Sequence, residues 1–257
     1  MNTTKEFFSE LFGTFILILL GCGSCAMVNL FPATIGHPIA GEIIKGGYTN
    51  VVFGWGLAVV FGIFVSIRTS GAHLNPAITI SFALVGRFPF AKVFHYILGQ
   101  VLGAFLGALC VFTIYHAQWI KVDPALSHTE GVFSTFPAVA GWWPGLFDQI
   151  CGTFVLVWGI LAVLDYSKDI DKSAAYPFII GALVLAIGIS LGGMHGYAIN
   201  PARDFGPRLV LAMEGFIHNG FNEARVWLVP IIGPIMGACL ATVFYHMFCV
   251  RKEERVI

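Results

Sequence analysis

Two short stretches of this chain gather residue types that suit recognition. One reads Ser70-Gly71-Ala72-His73-Leu74-Asn75-Pro76-Ala77, the other Gly196-Tyr197-Ala198-Ile199-Asn200-Pro201-Ala202-Arg203-Asp204. Together they supply two primary amides, an imidazole, a phenol and a guanidinium. These groups donate and accept hydrogen bonds. No nucleophile–base arrangement, phosphate loop or metal cluster accompanies them, so no catalytic residue, metal or cofactor is expected. The chemistry on offer is the handling of a neutral, hydroxyl-bearing solute without bond making.

The elements that must position these groups follow from the same stretches. Pro76 and Pro201 each open an apolar run, 76–86 and 201–213. Proline costs nothing at the first helical position, where the N–H would lack a partner in any case. Asn75 and Asn200 then fall at the cap position. At about 1.5 Å per residue each run crosses only half of a hydrocarbon core of about 30 Å. Two such half-helices meeting N-terminus to N-terminus present positive potential and amide donors at the membrane midplane. That arrangement favours acceptor oxygens and repels cations, including protons on a water file. The approaches 71–74 and 196–199 leave backbone carbonyls without helix partners. At membrane depth these are tolerated only against a wet cavity or inside protein. Gly71, Ala72, His73, Leu74, Ala198 and Ile199 are therefore the candidate lining positions.

The bulk numbers agree. Hydrophobic residues make up 57% of the chain and charged ones 11%, with 24 Phe and 30 Gly. A soluble domain carries about a quarter charged residues, so this is a helical integral membrane protein in contact with lipid. A net charge of zero gives no footprint for nucleic acid. The six cysteines, at 22, 25, 110, 151, 239 and 249, lie in or beside apolar runs and read as small core residues. Leu19-Leu20-Gly21-Cys22 has the form of a lipoprotein cleavage box. Only Lys5 precedes the apolar run, and Glu6 and Glu10 interrupt what comes before it, so the segment reads as a retained span.

Six segments are long enough to cross a bilayer, at about 5–30, 50–69, 90–116, 145–165, 174–194 and 225–249. The halves repeat. Phe8-Ser9-Glu10-Leu11-Phe12-Gly13-Thr14-Phe15 matches Phe147-Asp148-Gln149-Ile150-Cys151-Gly152-Thr153-Phe154, and Gly99-Gln100-Val101-Leu102-Gly103-Ala104 matches Gly233-Pro234-Ile235-Met236-Gly237-Ala238. Three spans per copy is an odd number, so the second copy enters the membrane inverted. One channel domain is expected over 1–257. Its first repeat covers about 5–116 and its second about 145–249. Between them lies an external connection of little regular structure, about 117–144, and the tail is 250–257. Glycines spaced by four (99, 103, 107; 233, 237) suit close helix crossings. With both termini inside, Lys5, Arg68, Arg87, Lys92, Lys168, Lys172, Arg251, Lys252 and Arg255 are cytoplasmic, against Lys45, Lys121, Arg208 and Arg225 outside. Trp142-Trp143 reads as an interfacial anchor before the fourth span.

These paired Asn-Pro-Ala boxes in an inverted repeat resemble the aquaporin (major intrinsic protein) family. Arg203-Asp204, Arg208, Pro230-Ile231 and Phe133-Ser134-Thr135-Phe136-Pro137 resemble its aquaglyceroporin branch. The resemblance implies an all-α membrane fold of six transmembrane helices and two half-helices. It implies Asn75 and Asn200 at the pore midplane, His73 in the pore wall, and an outer constriction of Trp55, Gly188, Tyr197 and Arg203. It implies Glu10 and Gln149 as supports of the half-helix loops, a homotetramer, and a multi-pass place in the plasma membrane. The function it implies is passive diffusion of glycerol and other small uncharged solutes with some water, ions and protons being excluded. The alternative is a channel whose main solute is water or a protonated small organic acid. Arg203 keeps its charge and would be expensive in lipid, so it must face water or a partner. Gly188 leaves room that a water-only channel fills with His.

Two positions depart from the family pattern. Tyr197 stands where Phe is usual, which predicts a narrower or more polar corner. Gln149 stands where a second Glu is usual, which predicts a loop held without charge assistance and therefore more loosely. His195 reads as an ordinary loop residue on the external side rather than a proton-sensitive gate. An ion-coupled transporter would need intramembrane carboxylates, and only Glu10 is placed to be one.

Overall fold

The structure is a computed structural model that describes residues 3–31, 46–166 and 169–250. Eight α-helices follow one another along these residues. The first half holds α1 (Thr3–Leu30), α2 (Tyr48–Ser70), α3 (Pro76–Leu84) and α4 (Phe90–Val122). The second holds α5 (Trp143–Tyr166), α6 (Ala175–Leu191), α7 (Pro201–Met213) and α8 (Ala224–Phe248), with single 3-10 turns at Glu130–Val132 and Ile170–Lys172. Five helices, α1, α2, α4, α5 and α8, are long and apolar enough to cross a membrane; α6 is apolar but has 17 residues. Six spans and two half-helices are therefore present in the predicted order. Lys45, Lys168, Arg251, Lys252 and Arg255 lie outside the described residues.

The half-helices begin where their prolines put them. Asn75 and Asn200 are the caps, each with extended backbone, and their side-chain oxygens accept from the N–H of Ala77 and Ala202. At its far end α3 stops two residues before Gly86. The Gly86 N–H reaches Ala83 O at 3.2 Å and the Arg87 N–H reaches Phe82 O at 3.0 Å. Gly86 takes the left-handed conformation that this closing motif needs.

The two halves pack alike. α1 lies against α4 and α2, and α5 lies against α8; α2 meets α6, while α4 meets α7 as α8 meets α3. This is the contact pattern of a two-fold inverted repeat. The closest crossings rest on glycine. A Cβ on Gly103 would run into Leu11 O, and one on Gly237 would run into Ile150 O, so both helix pairs need backbone-to-backbone contact at these points. Large apolar side chains face outward along the spans, among them Phe12, Phe61, Phe94, Ile114 and Phe178. The inside packs apolar side chains too, and among them sit polar ones, including Glu10, Gln100 and Gln149, all fully buried. A surface with so many large apolar side chains is stable in lipid. Trp142 and Trp143 stand exposed at the start of α5.

The 117–144 connection has little regular structure beyond the end of α4 at Val122, with a single 3-10 turn before α5 begins. It is nevertheless tied down by its own side chains. The Asp123 carboxylate accepts from the N–H groups of Ser127, His128 and Thr129 at 2.9–3.1 Å and from the Thr129 hydroxyl at 2.8 Å. Trp119 Nε1–H donates to Thr129 Oγ1 at 2.7 Å, and Phe133 stacks on Trp119 with centroids 5.3 Å apart. Burial alone would raise the Asp123 carboxyl; the Ser127 and His128 amides and the Thr129 hydroxyl outweigh it and hold the group down to about 2. Composition could not show this order. A proline-containing polar stretch looks irregular until its side chains find partners 4 to 6 residues away.

Candidate functional site

The two loops meet where the half-helices begin. Asn75 Nδ2 donates to Ile199 O at 2.8 Å, and Asn200 Nδ2 donates to Leu74 O at 2.8 Å. Each Asn therefore caps its own half-helix and ties down the opposite loop. One N–H of each amide is spent on that tie, and the other is left for the cavity. The carbonyls of Leu74 and Ile199 serve the tie as well, so of the six candidate lining positions these two hold the loops together.

The approaches keep an unusual backbone. Among the described non-glycine residues four have positive φ, and three of them are Ala72, Leu74 and Ile199. Each such residue costs about 1–3 kcal/mol and persists only where the surroundings impose it. At Leu74 it is imposed by the buried carboxylate of Glu10. Glu10 Oε1 accepts from the His73 N–H at 3.0 Å and Oε2 from the Leu74 N–H at 2.7 Å. Gln100 Nε2 donates to Glu10 Oε2 at 2.7 Å and to Thr79 Oγ1 at 3.0 Å. In the second half Gln149 Oε1 accepts from the Ile199 N–H at 2.9 Å. Ser70 joins the first network through its hydroxyl, which donates to Glu10 Oε1. Gln100 and Ser70 were missed in the sequence. A glutamine in the middle of an apolar span was the available signal for the first.

A cavity of about 80 Å³ runs along this seam and is lined by Gly71, Ala72, His73, Leu74, Asn75, Ala198, Ile199 and Asn200, with Trp55, Tyr197 and Arg203 at one end. The space suits a short file of waters. The rest of the wall is mostly apolar and includes Leu17, Val59, Ile63, Leu156, Ile160 and Val184, with Tyr176 beside them. His73 Nδ1 lies 3.1 Å from Thr79 Oγ1, and its ring meets Phe88 at 4.7 Å and Tyr96 at 5.1 Å.

Trp55, Gly188, Tyr197 and Arg203 come together although they stand on three different helices and a loop. The Arg203 guanidinium lies 3.9 Å over the Trp55 ring, and its Nη1 donates to Phe133 O at 3.0 Å. Behind it, Asp204 Oδ2 accepts from the Thr135 N–H at 2.7 Å while Oδ1 pairs with Arg208 at 2.8 Å, and Arg208 Nη2 donates to Thr135 O at 2.7 Å. The 123–142 connection thus grips Arg203 through Phe133 and Asp204 through Thr135. Trp55 Nε1–H donates to Cys25 Sγ at 3.4 Å, and the Trp55 ring fills the space where Gly21 has no side chain. Gly21, Cys25 and the connecting loop are contributors that spacing along the chain could not reveal.

Two expectations change here. The room at Gly188 is not left open, because Tyr197 occupies it: a Cβ at 188 would lie 2.6 Å from Val52 Cγ1 and 2.9 Å from Tyr197 Cζ. Positions 188 and 197 are therefore one steric unit. Nor does Tyr197 make the corner more polar, since its hydroxyl is buried and has no partner among the described residues. Tyr48 completes the arrangement and was not foreseen. Its hydroxyl donates to Gly188 O at 2.6 Å, and its ring stands edge-on to Tyr197 at 6.5 Å. His195 is 1% exposed and lies against Gly145, so it is a packed residue and not a group at a wet mouth.

An inverted repeat of helices around a seam closed by two opposed half-helices defines a membrane channel. The profile of the family described as "Major intrinsic protein" matches residues 1–245, and the chain belongs to that family. It is 41% identical over 240 residues to the "Glycerol uptake facilitator protein" of Bacillus subtilis (strain 168), covering 93% of this chain and 83% of that one. It is 42% identical to the "Probable glycerol uptake facilitator protein" of Thermotoga maritima, covering 93% and 97%. Among solved structures, that of the aquaglyceroporin from Plasmodium falciparum superposes with a TM-score of 0.82 at 29% identity, covering 96% of this chain and 97% of that one.

Proposed function

We propose that this protein is a passive channel for glycerol and other small uncharged solutes, with some water, and that it excludes ions and protons. The observation that carries this reading is the corner of Trp55, Tyr197 and Arg203 in a cavity whose other lining is mostly apolar, with the Asn75–Asn200 pair and His73 among it. A polyol presents hydroxyls on one edge and carbons on the other. Arg203 donates to the hydroxyls, the two rings receive the carbons, and the fixed guanidinium charge opposes cations. The half-helix N-termini add positive potential at the Asn75–Asn200 tie. Names of the relatives above point to the same solute. A water-selective channel is disfavoured, because the bulky polar residue it would carry at 188 has no space beside Tyr197.

The reading includes several finer assignments. Trp55, Gly188, Tyr197 and Arg203 act as the selectivity filter, Asn75 and Asn200 as the midplane pair, and Glu10 and Gln149 as loop supports. The chain works as one domain in a homotetramer in the plasma membrane, with both termini cytoplasmic and no enzymatic activity. Proteoliposomes assayed for swelling in a panel of isosmotic solutes test the function. Glycerol entry well above that of protein-free vesicles is expected, without proton or sodium flux. Water flux with no glycerol flux would refute it.

A further inference from the structure

The second half-helix loop lacks the glutamate that holds the first, yet it is not held without charge. We propose that Asp148, one residue before Gln149, supplies the carboxylate for that loop, and that the Asp148–Gln149 pair together does the work done by Glu10 and Gln100 in the first half. The inference rests on the channel reading above and concerns how its wall is positioned.

The geometry is specific. Asp148 Oδ2 accepts from the His195 N–H at 3.1 Å, at the start of the approach. Gln149 Oε1 accepts from the Ile199 N–H at 2.9 Å, at its end. Gln149 Nε2 donates to Asp148 Oδ2 at 3.2 Å and to His195 O at 3.3 Å. The loop that carries Tyr197 is therefore clamped at both ends by two adjacent side chains of α5. In the first half the same parts come from two helices: the carboxylate from Glu10 on α1, the amide donor from Gln100 on α4. The repeat puts Pro234 where Gln100 would stand, and proline has no amide to give. A glutamate at 149 would thus keep the Ile199 N–H but lack the side-chain amide donor that Glu10 has in Gln100. It would also set a second carboxylate about 3 Å from Asp148 and turn an acceptor toward the His195 carbonyl. Gln149 supplies the missing amide itself, and Asp148 takes over the charge. A charge-assisted hydrogen bond is about twice as strong as a neutral one, so the loop is held more firmly than Gln149 alone would hold it.

The test is a charge exchange in proteoliposomes, with glycerol and water flux measured on each variant and protein content normalised. Gln149→Glu restores the residue usual in the family but is expected to lower glycerol flux, by about fivefold or more. Asp148→Asn is expected to lower it by a similar factor. In both, glycerol flux falls more than water flux, because the loop that moves carries Tyr197; simple loss of folded protein lowers the two alike. The double variant D148N/Q149E keeps one carboxylate beside one amide. It is expected to return glycerol flux to within about threefold of wild type. Wild-type flux in either single variant, or a double variant no better than the singles, overturns the proposal. Should a single variant fail to fold, the double decides alone: folding and conduction support the exchange, and failure overturns it. Absence of glycerol flux in the wild type would instead refute the channel reading.

Discussion

Removing one oxygen from Tyr197 tests the description of the corner it forms with Trp55 and Arg203. The Tyr197 hydroxyl is buried and has no hydrogen-bond partner among the described residues, while its ring packs along Gly188 and Gly192 and meets Tyr48 edge-on. Burying an unpaired polar group costs about 1–3 kcal/mol, and the phenyl ring keeps all the packing. Tyr197→Phe is therefore expected to stabilise the folded channel by about 1 kcal/mol or more, roughly a fivefold change in the unfolding constant. Reversible unfolding in mixed micelles with increasing sodium dodecyl sulfate, followed by tryptophan fluorescence, reads this directly. Glycerol flux should stay within about twofold of wild type, since the hydroxyl makes no part of the cavity surface. A variant destabilised by about 1 kcal/mol would mean that the hydroxyl has a partner. A large change in the glycerol-to-urea ratio would mean that it faces the solute. Either result refutes this account of the corner.

Two further outcomes follow from the geometry. Gly188→His should abolish glycerol and water flux together, because the new side chain meets Val52 and Tyr197; G188H/Y197A should regain water flux without glycerol flux, which swelling assays in the two conditions would separate. Asp123 sits below the ordinary carboxyl value of 3.8, at about 2, so its contribution is present above the ordinary value and is lost as pH falls toward 2. Asp123→Asn should accordingly lower the unfolding midpoint at pH 7 by about 3 °C, with the gap to wild type closing as pH falls toward 2; equal midpoints at pH 7 would count against the anchored loop.

Much of the fold was legible along the chain. Pro76 and Pro201 after Asn mark the two half-helix starts, and the matching Gly-Thr-Phe and Gly-x-x-x-Gly segments give the repeat and its inversion. Such signals are local: a cap, a proline or a small residue states its backbone need within a few positions. The lining stretches were legible for the same reason, since a Gly-rich approach between apolar runs has nowhere else to put its carbonyls. Less legible were the residues that act at a distance. Asp148 stands in the sequence only as one position of the repeat, and the His195 N–H that it accepts from lies 47 positions away. Tyr48 and Cys25 carry no motif at all.

The sequence by itself determined that this is an inverted-repeat membrane protein and which residues begin its half-helices, because helix length, helix caps and hydropathy are set by neighbours in the chain. The shape of the corner around Gly188 and Tyr197 came from the tertiary structure alone. Gly188 reads as an open space and Tyr197 as a polar intrusion when each is taken singly. In the fold the ring of one fills the gap of the other, and the hydroxyl is turned away from the cavity. Steric complementarity between an α6 backbone and a side chain 9 positions later depends on how the loop between them is clamped, and that clamp comes from α5 and from the connection between α4 and α5.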